Sequence, residues 1–235
     1  NKRFYRELSN WYFWALKEVH FPTDVLEADK NSVLKKDEKV HEHNAKNLIR
    51  LLTRILFVWF VKEKNLIPDE LFDEDYVKDH LINDFEPKKK KGFDHKTQGS
   101  KYYRAILQNL FFATLNQMVG KREFRKQGQH MNTTTLMRYE SYFKDAKEFV
   151  KILEDVVPFM NGGLFECLDK PIPGKKGRQG GDVIQYEDGF SDRPDNKLCV
   201  PDYIFFGIEE HADLSEELDD KKQKKLAYIK TLSNF

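Results

Sequence analysis

The sequence predicts a mostly α protein, a helical bundle with a loop-rich C-terminal extension that contains a short β-hairpin or ribbon. Two observations lead there. Apolar residues recur at i, i+3 and i+4 through most of residues 1–155, the spacing of one helical face. Beyond about residue 156 that period gives way to short apolar runs punctuated by glycine and proline. The chain has 235 residues, enough for one large domain or two small ones, and 19 Phe supply bulky side chains for an interior. Charged residues make up 34%, above the usual ~25%, but an aromatic share of 14% is far from the composition of a disordered chain.

The elements follow in order. Phe4, Leu8, Trp11, Tyr12, Ala15, Leu16 and Val19 share a face, and Phe21-Pro22 stops the run, so the first helix covers 3–20. The second begins near His43 with Leu48, Leu51, Leu52, Ile55, Val58 and Trp59 on one side. Its last two turns are apolar all round, the pattern of a helix buried on several faces, and Pro68 ends the segment. A short acidic helix near 69–84 precedes a loop. Tyr103, Ile106, Leu107, Leu110, Phe111 and Met118 then mark a third long helix closed by Gly120, and Phe143, Ala146, Phe149, Val150 and Leu153 mark a fourth over about 140–155. Val183–Tyr186 and Tyr203–Phe206 read as short strands. Asp213-Leu-Ser215 offers caps for a charged last helix carrying Leu218, Leu226, Ile229 and Leu232. The expected organisation is a bundle over 1–155, a Gly/Pro-rich extension over 156–210 and a terminal helix over 211–235. The start at Asn1 suggests a piece of a larger protein.

Two cysteines, Cys167 and Cys199, are too few for a disulfide framework or a four-thiolate zinc site, and no secretory leader is recognisable, so a cytoplasmic setting is expected. The longest apolar run, Ile55–Val61, is seven residues, against the ~20 that a membrane-spanning helix needs. A net charge of +1 hides an uneven layout: −2 over 1–85, +9 over 86–138 and −6 over 139–235. The basic middle attracts polyanions. Within it Lys88–Lys91 sits in loop-like sequence, as a solvated run or a phosphate contact.

Catalytic signatures are missing. Gly174–Gly181 lacks the lysine of a phosphate-binding P-loop and no strand feeds it, and neither Gly-x-Gly-x-x-Gly, Gly-x-Ser-x-Gly nor His-Glu-x-x-His occurs. His41-Glu-His43 places its imidazoles in different directions on a helix, which fits a solvated helix start better than a metal site. Pro68-Asp69 followed by Glu86-Pro87-Lys88 satisfies the loose pattern of metal-dependent nucleases. Those groups must converge on one Mg²⁺ at a sheet edge, whereas the segment between them reads helical and Pro87 would interrupt the strand. Trp11, Trp14 and Trp59 read as core. The candidate functional residues are cations in expected loops, Lys121, Arg122, Arg125 and Lys126 together with Lys175, Lys176 and Arg178, able to touch DNA phosphates without reading sequence.

Five strings are distinctive: Phe4-Tyr-Arg-Glu-Leu-Ser-Asn-Trp-Tyr-Phe-Trp-Ala-Leu16; Asn47-Leu-Ile-Arg-Leu-Leu-Thr-Arg-Ile-Leu-Phe-Val-Trp-Phe-Val-Lys-Glu-Lys64; Tyr102-Tyr-Arg-Ala-Ile-Leu-Gln-Asn-Leu-Phe-Phe-Ala-Thr-Leu-Asn116; Asn161-Gly-Gly-Leu-Phe-Glu-Cys-Leu-Asp169; and Gly189-Phe-Ser-Asp-Arg-Pro-Asp195 through Val200-Pro-Asp-Tyr-Ile-Phe-Phe206. In order and content they resemble the region ahead of the methyltransferase domain in Eco57I-like, type IIG restriction-modification enzymes and related prokaryotic phage-defence methyltransferases. The resemblance implies a parent with a nuclease, a helical connector, an adenine-N6 methyltransferase using S-adenosylmethionine, and a target-recognition region, acting on double-stranded DNA with Mg²⁺ for cleavage. This chain looks like the connector. The Asn-Pro-Pro-Tyr/Phe tetrapeptide and the glycine-bearing cofactor motif of that family are absent from it, so no catalytic residue carries over and no cofactor or metal is expected within it. A self-contained Mg²⁺-dependent nuclease built on Asp69, Glu86 and Lys88, and a sequence-independent nucleic-acid-binding module, stand as alternatives.

Overall fold

Helix α1 (Lys2–Glu18) turns Trp11, Trp14 and Ala15 inward and anchors itself through the Trp11 indole N–H, which donates to the Ile204 carbonyl at 2.8 Å. The chain is a computed structural model that describes residues 2–28, 35–88, 100–126, 132–177, 180–207, 209–218 and 226–231. Just past α1, His20 and Cys199 exchange backbone hydrogen bonds of 2.7 Å in both directions, so the helix stops at the point where its backbone is taken up by a distant segment. A short α2 (Asp24–Ala28) follows. Helix α3 (Lys36–Lys62) starts ahead of the expected His43, because the Lys35 N–H donates to the Glu38 carboxylate and Asp37 and Glu38 suit the N-terminal dipole. The expected acidic helix near 69–84 is three short pieces: a 3₁₀ turn at Asp69–Phe72, α4 (Glu74–Tyr76) capped by Asp73, and a π turn at Val77–Leu81.

The third long helix is the centre of the molecule. It spans 101–115, with π-type hydrogen bonding over Tyr102–Gln108 and Phe111–Leu115, and every side chain from Tyr102 to Leu115 is buried. It ends at Asn116, earlier than Gly120. The fourth helix, α5 (Ala146–Val156), begins six residues later than its apolar spacing suggests. Residues 142–144 are claimed instead by a β-bridge between Phe143 and Ile82, with Asn83 N–H to Tyr142 O and Lys144 N–H to Leu81 O both at 2.9 Å. Asp145 then caps α5 by accepting from Lys147 and Glu148 N–H.

A short ribbon lies in the extension as expected, but the strand near Val183–Tyr186, β2 (Asp182–Gln185), pairs antiparallel with β1 (Lys170–Lys176), a stretch not expected to be a strand, with an irregular register between Pro171 and Lys176. Two expectations are corrected. Tyr203–Phe206 is a single helical turn, α6, and all four side chains are buried; a short apolar run buried on every side is compatible with strand or helix. The terminal helix over 211–235 is replaced, in its described part, by β3 (Glu210–Asp213) paired antiparallel with β4 (Leu226–Ile229). Ala227 and Ile229 are buried while Tyr228 between them is exposed, a period of two that a helix cannot use. Leu232 lies outside the described residues.

One apolar cluster joins all of this. Phe165, Cys167, Phe190, Leu198, Val200 and Tyr203–Phe206 from the extension belong to the same buried cluster as Trp11, Leu48, Phe111 and Leu153. Helix α3 departs from its expected all-round burial: Ile49, Leu56 and Phe60 stay exposed on its outer face.

Candidate nucleic-acid interface

The ribbon stands on two buried carboxylates. Asp169 Oδ1 accepts from the N–H groups of Glu187 (2.7 Å), Asp188 (2.9 Å) and Gly189 (3.1 Å), and Oδ2 accepts from Phe190 (2.7 Å). Asp188 accepts from the Leu168 N–H at 2.7 Å and pairs with Arg54 at 3.0 Å, both side chains 2% exposed. The Arg54 guanidinium also donates to the carbonyls of Leu164 (2.8 Å) and Glu166 (3.0 Å) and lies 4.8 Å over the Phe112 ring. From the central helix, Gln108 donates to the Asp188 carbonyl at 2.8 Å and accepts from the Tyr139 hydroxyl at 3.1 Å. The base end of β2 is tied to α2, where Asp24 accepts from the Tyr186 N–H at 3.1 Å. Burial, with Asp188 nearby, pushes the Asp169 carboxyl up to about 6 despite its four N–H donors. Asp202 caps the central helix by accepting from the Tyr102 N–H at 2.8 Å, and burial pushes its carboxyl up to about 8. Both cysteine thiols are raised by burial, which keeps them protonated and unreactive.

The cations singled out in the sequence divide into two sets. Arg122 is folded inward: its side chain is fully buried, donates to the Leu153 carbonyl at 3.0 Å, and lies 3.8 Å from Glu154. Arg125 likewise pairs with Asp192, its side chain only 6% exposed. These two hold the protein together, because the 121–126 segment is bridged to Met137 (Arg125 N–H to Met137 O, 3.0 Å) and is no open loop. Lys121, Lys126 and Lys175 are exposed, and Lys176 is exposed beside Asp182 at 2.6 Å. Arg178 lies outside the described residues, as do Lys89, Lys90 and Lys91. Asn132 reaches Asp182 of the ribbon at 3.5 Å.

The nuclease-like residues are placed differently. Asp69 pairs with Lys62 at 2.8 Å and Lys88 with Glu74 at 3.0 Å, and Glu86-Pro87-Lys88 is loop and turn with no strand to carry it. Asp69, Glu70, Asp73, Asp75 and Asp79 line an open dish with Tyr76 and His80. Among the described residues no group of three His, Cys, Asp or Glu side chains is arranged to hold a metal ion, and no helix is long and apolar enough to cross a membrane. His43, expected at a solvated helix start, is instead buried with Nε2 at 2.7 Å from the Pro22 carbonyl, because α3 begins earlier and carries it into the core; His41 is exposed.

Arg54, Asp169, Asp188 and Asp202 escaped the sequence reading. The one available signal was a lone cation among Leu51, Leu52, Ile55 and Leu56, since a charge inside an apolar run is either exposed or partnered. No protein-family profile, no curated protein and no solved structure matches the chain.

Proposed function

We propose that this chain is a non-catalytic helical connector of a type IIG-like restriction-modification enzyme, holding an adenine-N6 methyltransferase and, where the parent also cuts, an endonuclease in register along DNA. The reading rests on the resemblance of the five strings. The observation that supports it is how those strings meet. Trp11 of the first donates to Ile204 of the fifth, and Arg54 of the second to Leu164 and Glu166 of the fourth. Tyr102 of the third donates to Asp202 of the fifth. Residues distinctive for such reasons serve as framework, which is what a rigid spacer between active domains needs, and the exposed lysines remain for phosphate contact. S-adenosylmethionine and Mg²⁺ belong, on this reading, to the flanking domains, in a cytoplasmic enzyme.

Two measurements test it. Sequencing the coding DNA on the 3′ side should reveal an in-frame Asn-Pro-Pro-Tyr or Asn-Pro-Pro-Phe; its absence from the reading frame would overturn the connector reading. The purified chain should neither cleave duplex DNA with Mg²⁺ nor transfer methyl groups from S-adenosylmethionine. Cleavage that disappears in Asp69→Ala or Glu86→Ala protein would instead make the chain a nuclease.

A further inference from the structure

We infer that the β1–β2 ribbon is a rigid arm that lies in a groove of duplex DNA and grips its phosphates through Lys170, Lys175 and Lys176. The inference deepens the connector reading and rests on it for the choice of DNA among polyanions. A two-stranded ribbon is barely stable by itself in water, yet this one is clamped at its base by the Asp169 and Asp188 carboxylates and by Asp24. Beyond that base, every residue of β1 except Ile172 is exposed. The result is a ribbon fixed at its base, with β1 on the outside and β2 half-buried beside it.

The chemistry of the arm selects among partners. Pro171 and Pro173 have no N–H to offer, so β1 is a poor template for an added strand of another protein. Ile172 and Val183 are half-buried and Ile184 is buried, which leaves little large apolar surface for a hydrophobic partner. What the arm presents is charge: residues 170–185 carry four cations and one acid. The acid, Asp182, is paired with Lys176, an exposed contact of the kind that contributes little and is readily exchanged for a phosphate. Gly174 has a positive φ of +72° with no atom within 4 Å of where a Cβ would stand, so the irregular stretch of β1 has bare backbone open to a close approach. The four residues of β2 at ~3.4 Å each give a paired ribbon about 14 Å long, and a two-stranded ribbon fits the ~12 Å major groove.

The test is fluorescence anisotropy on the full 235-residue chain with a generic duplex of about 20 base pairs, long enough to span the ~14 Å ribbon several times over, the matching single strand and the matching RNA duplex, across a salt series. The wild-type chain should bind the DNA duplex with a dissociation constant around 10⁻⁴–10⁻⁶ M at physiological salt, tightening as salt falls. Lys170→Ala/Lys175→Ala/Lys176→Ala protein, its fold checked by circular dichroism, should bind at least ~10-fold more weakly at low salt, with the salt slope reduced by about 2–3 because each lost phosphate contact removes about 1. A charge-matched control at exposed helical lysines, Lys78→Ala/Lys147→Ala/Lys151→Ala, should bind within about 2-fold of wild type, since those side chains lie on other elements. Unchanged binding in the arm variant, an equal loss in the control, no duplex binding at low salt, or tighter binding of single-stranded DNA or RNA would each overturn the inference. None of these outcomes bears on whether a methyltransferase domain follows in the reading frame, so failure of the arm and failure of the connector reading are told apart.

Discussion

Arg54 shows how much one side chain carries. Its guanidinium joins α3 to two carbonyls of the Asn161–Asp169 string and to Asp188 at the base of the ribbon, in a site closed to water. Removing one partner of a buried pair strands the other charge, at a cost of about 3–5 kcal/mol. Arg54→Met should therefore lower the unfolding free energy measured by urea denaturation by that amount, and adding Asp188→Asn should restore part of it, because the stranded charge is then gone. Asp202 makes a prediction of opposite chemistry. Its carboxyl sits at about 8 in the fold against 3.8 for the ordinary group, so between those values the folded state keeps a proton that the unfolded chain has lost. Stability from this group is full below pH ~4, declines as pH rises toward 8, and is level above. Asp169, raised to about 6, adds the same sign over a narrower window. Denaturant midpoints at pH 5 and pH 8 should fall with pH in the wild type and fall less in Asp202→Asn. Neither residue announces itself in the sequence, because partnership between a helix and loops more than a hundred positions away leaves no local pattern.

At the scale of elements, periodicity carried far where one helix face is buried and failed where burial is complete or backbone is shared. Helix α1 and the buried faces of α3 and α5 follow their apolar spacing closely. The start of α5 was hidden because Phe143 is used by a bridge to Ile82, and the turn at Tyr203–Phe206 because four consecutive buried side chains have no period. Helix α3 is the instructive case: its C-terminal turns are apolar all round, yet Ile49, Leu56 and Phe60 face outward, and Leu56 with Phe4, Leu8, Trp59 and Phe72 edges a cavity of about 130 Å³. Exposure predicts tolerance. Ile49→Lys and Phe60→Glu should each move stability by no more than about 0.5 kcal/mol, whereas Phe111→Ala or Phe112→Ala in the central helix should each cost about 3–5 kcal/mol, a contrast that urea denaturation of the four variants measures directly.

For the molecule as a whole, the shared cluster has a thermodynamic consequence. Val157, Phe165, Phe190, Val200 and Tyr203–Phe206 pack in the same interior as the helices before residue 155, so bundle and extension should unfold together. Tryptophan fluorescence, which reports Trp11, Trp14 and Trp59, and far-ultraviolet circular dichroism should give coincident transitions, and a chain cut after residue 155 should lack a cooperative transition because the cut exposes the central helix. Two separated transitions would show that the extension is a unit of its own. The sequence by itself determined the class of fold, most of the helices, the presence of a short ribbon in the extension with β2 as one strand, and the uneven charge, since these are properties of neighbours along the chain: side-chain period, glycine and proline positions, and local composition. Tertiary structure alone decided which cations face solvent. Lys121 and Arg122 are adjacent in sequence, yet one is exposed and the other is held beneath Leu153. It also decided that the last segment pairs as β3–β4, and that Asp169, Asp188 and Asp202 are buried. A charge enters the interior only when donors from distant segments meet it there, and that meeting is settled by packing in three dimensions.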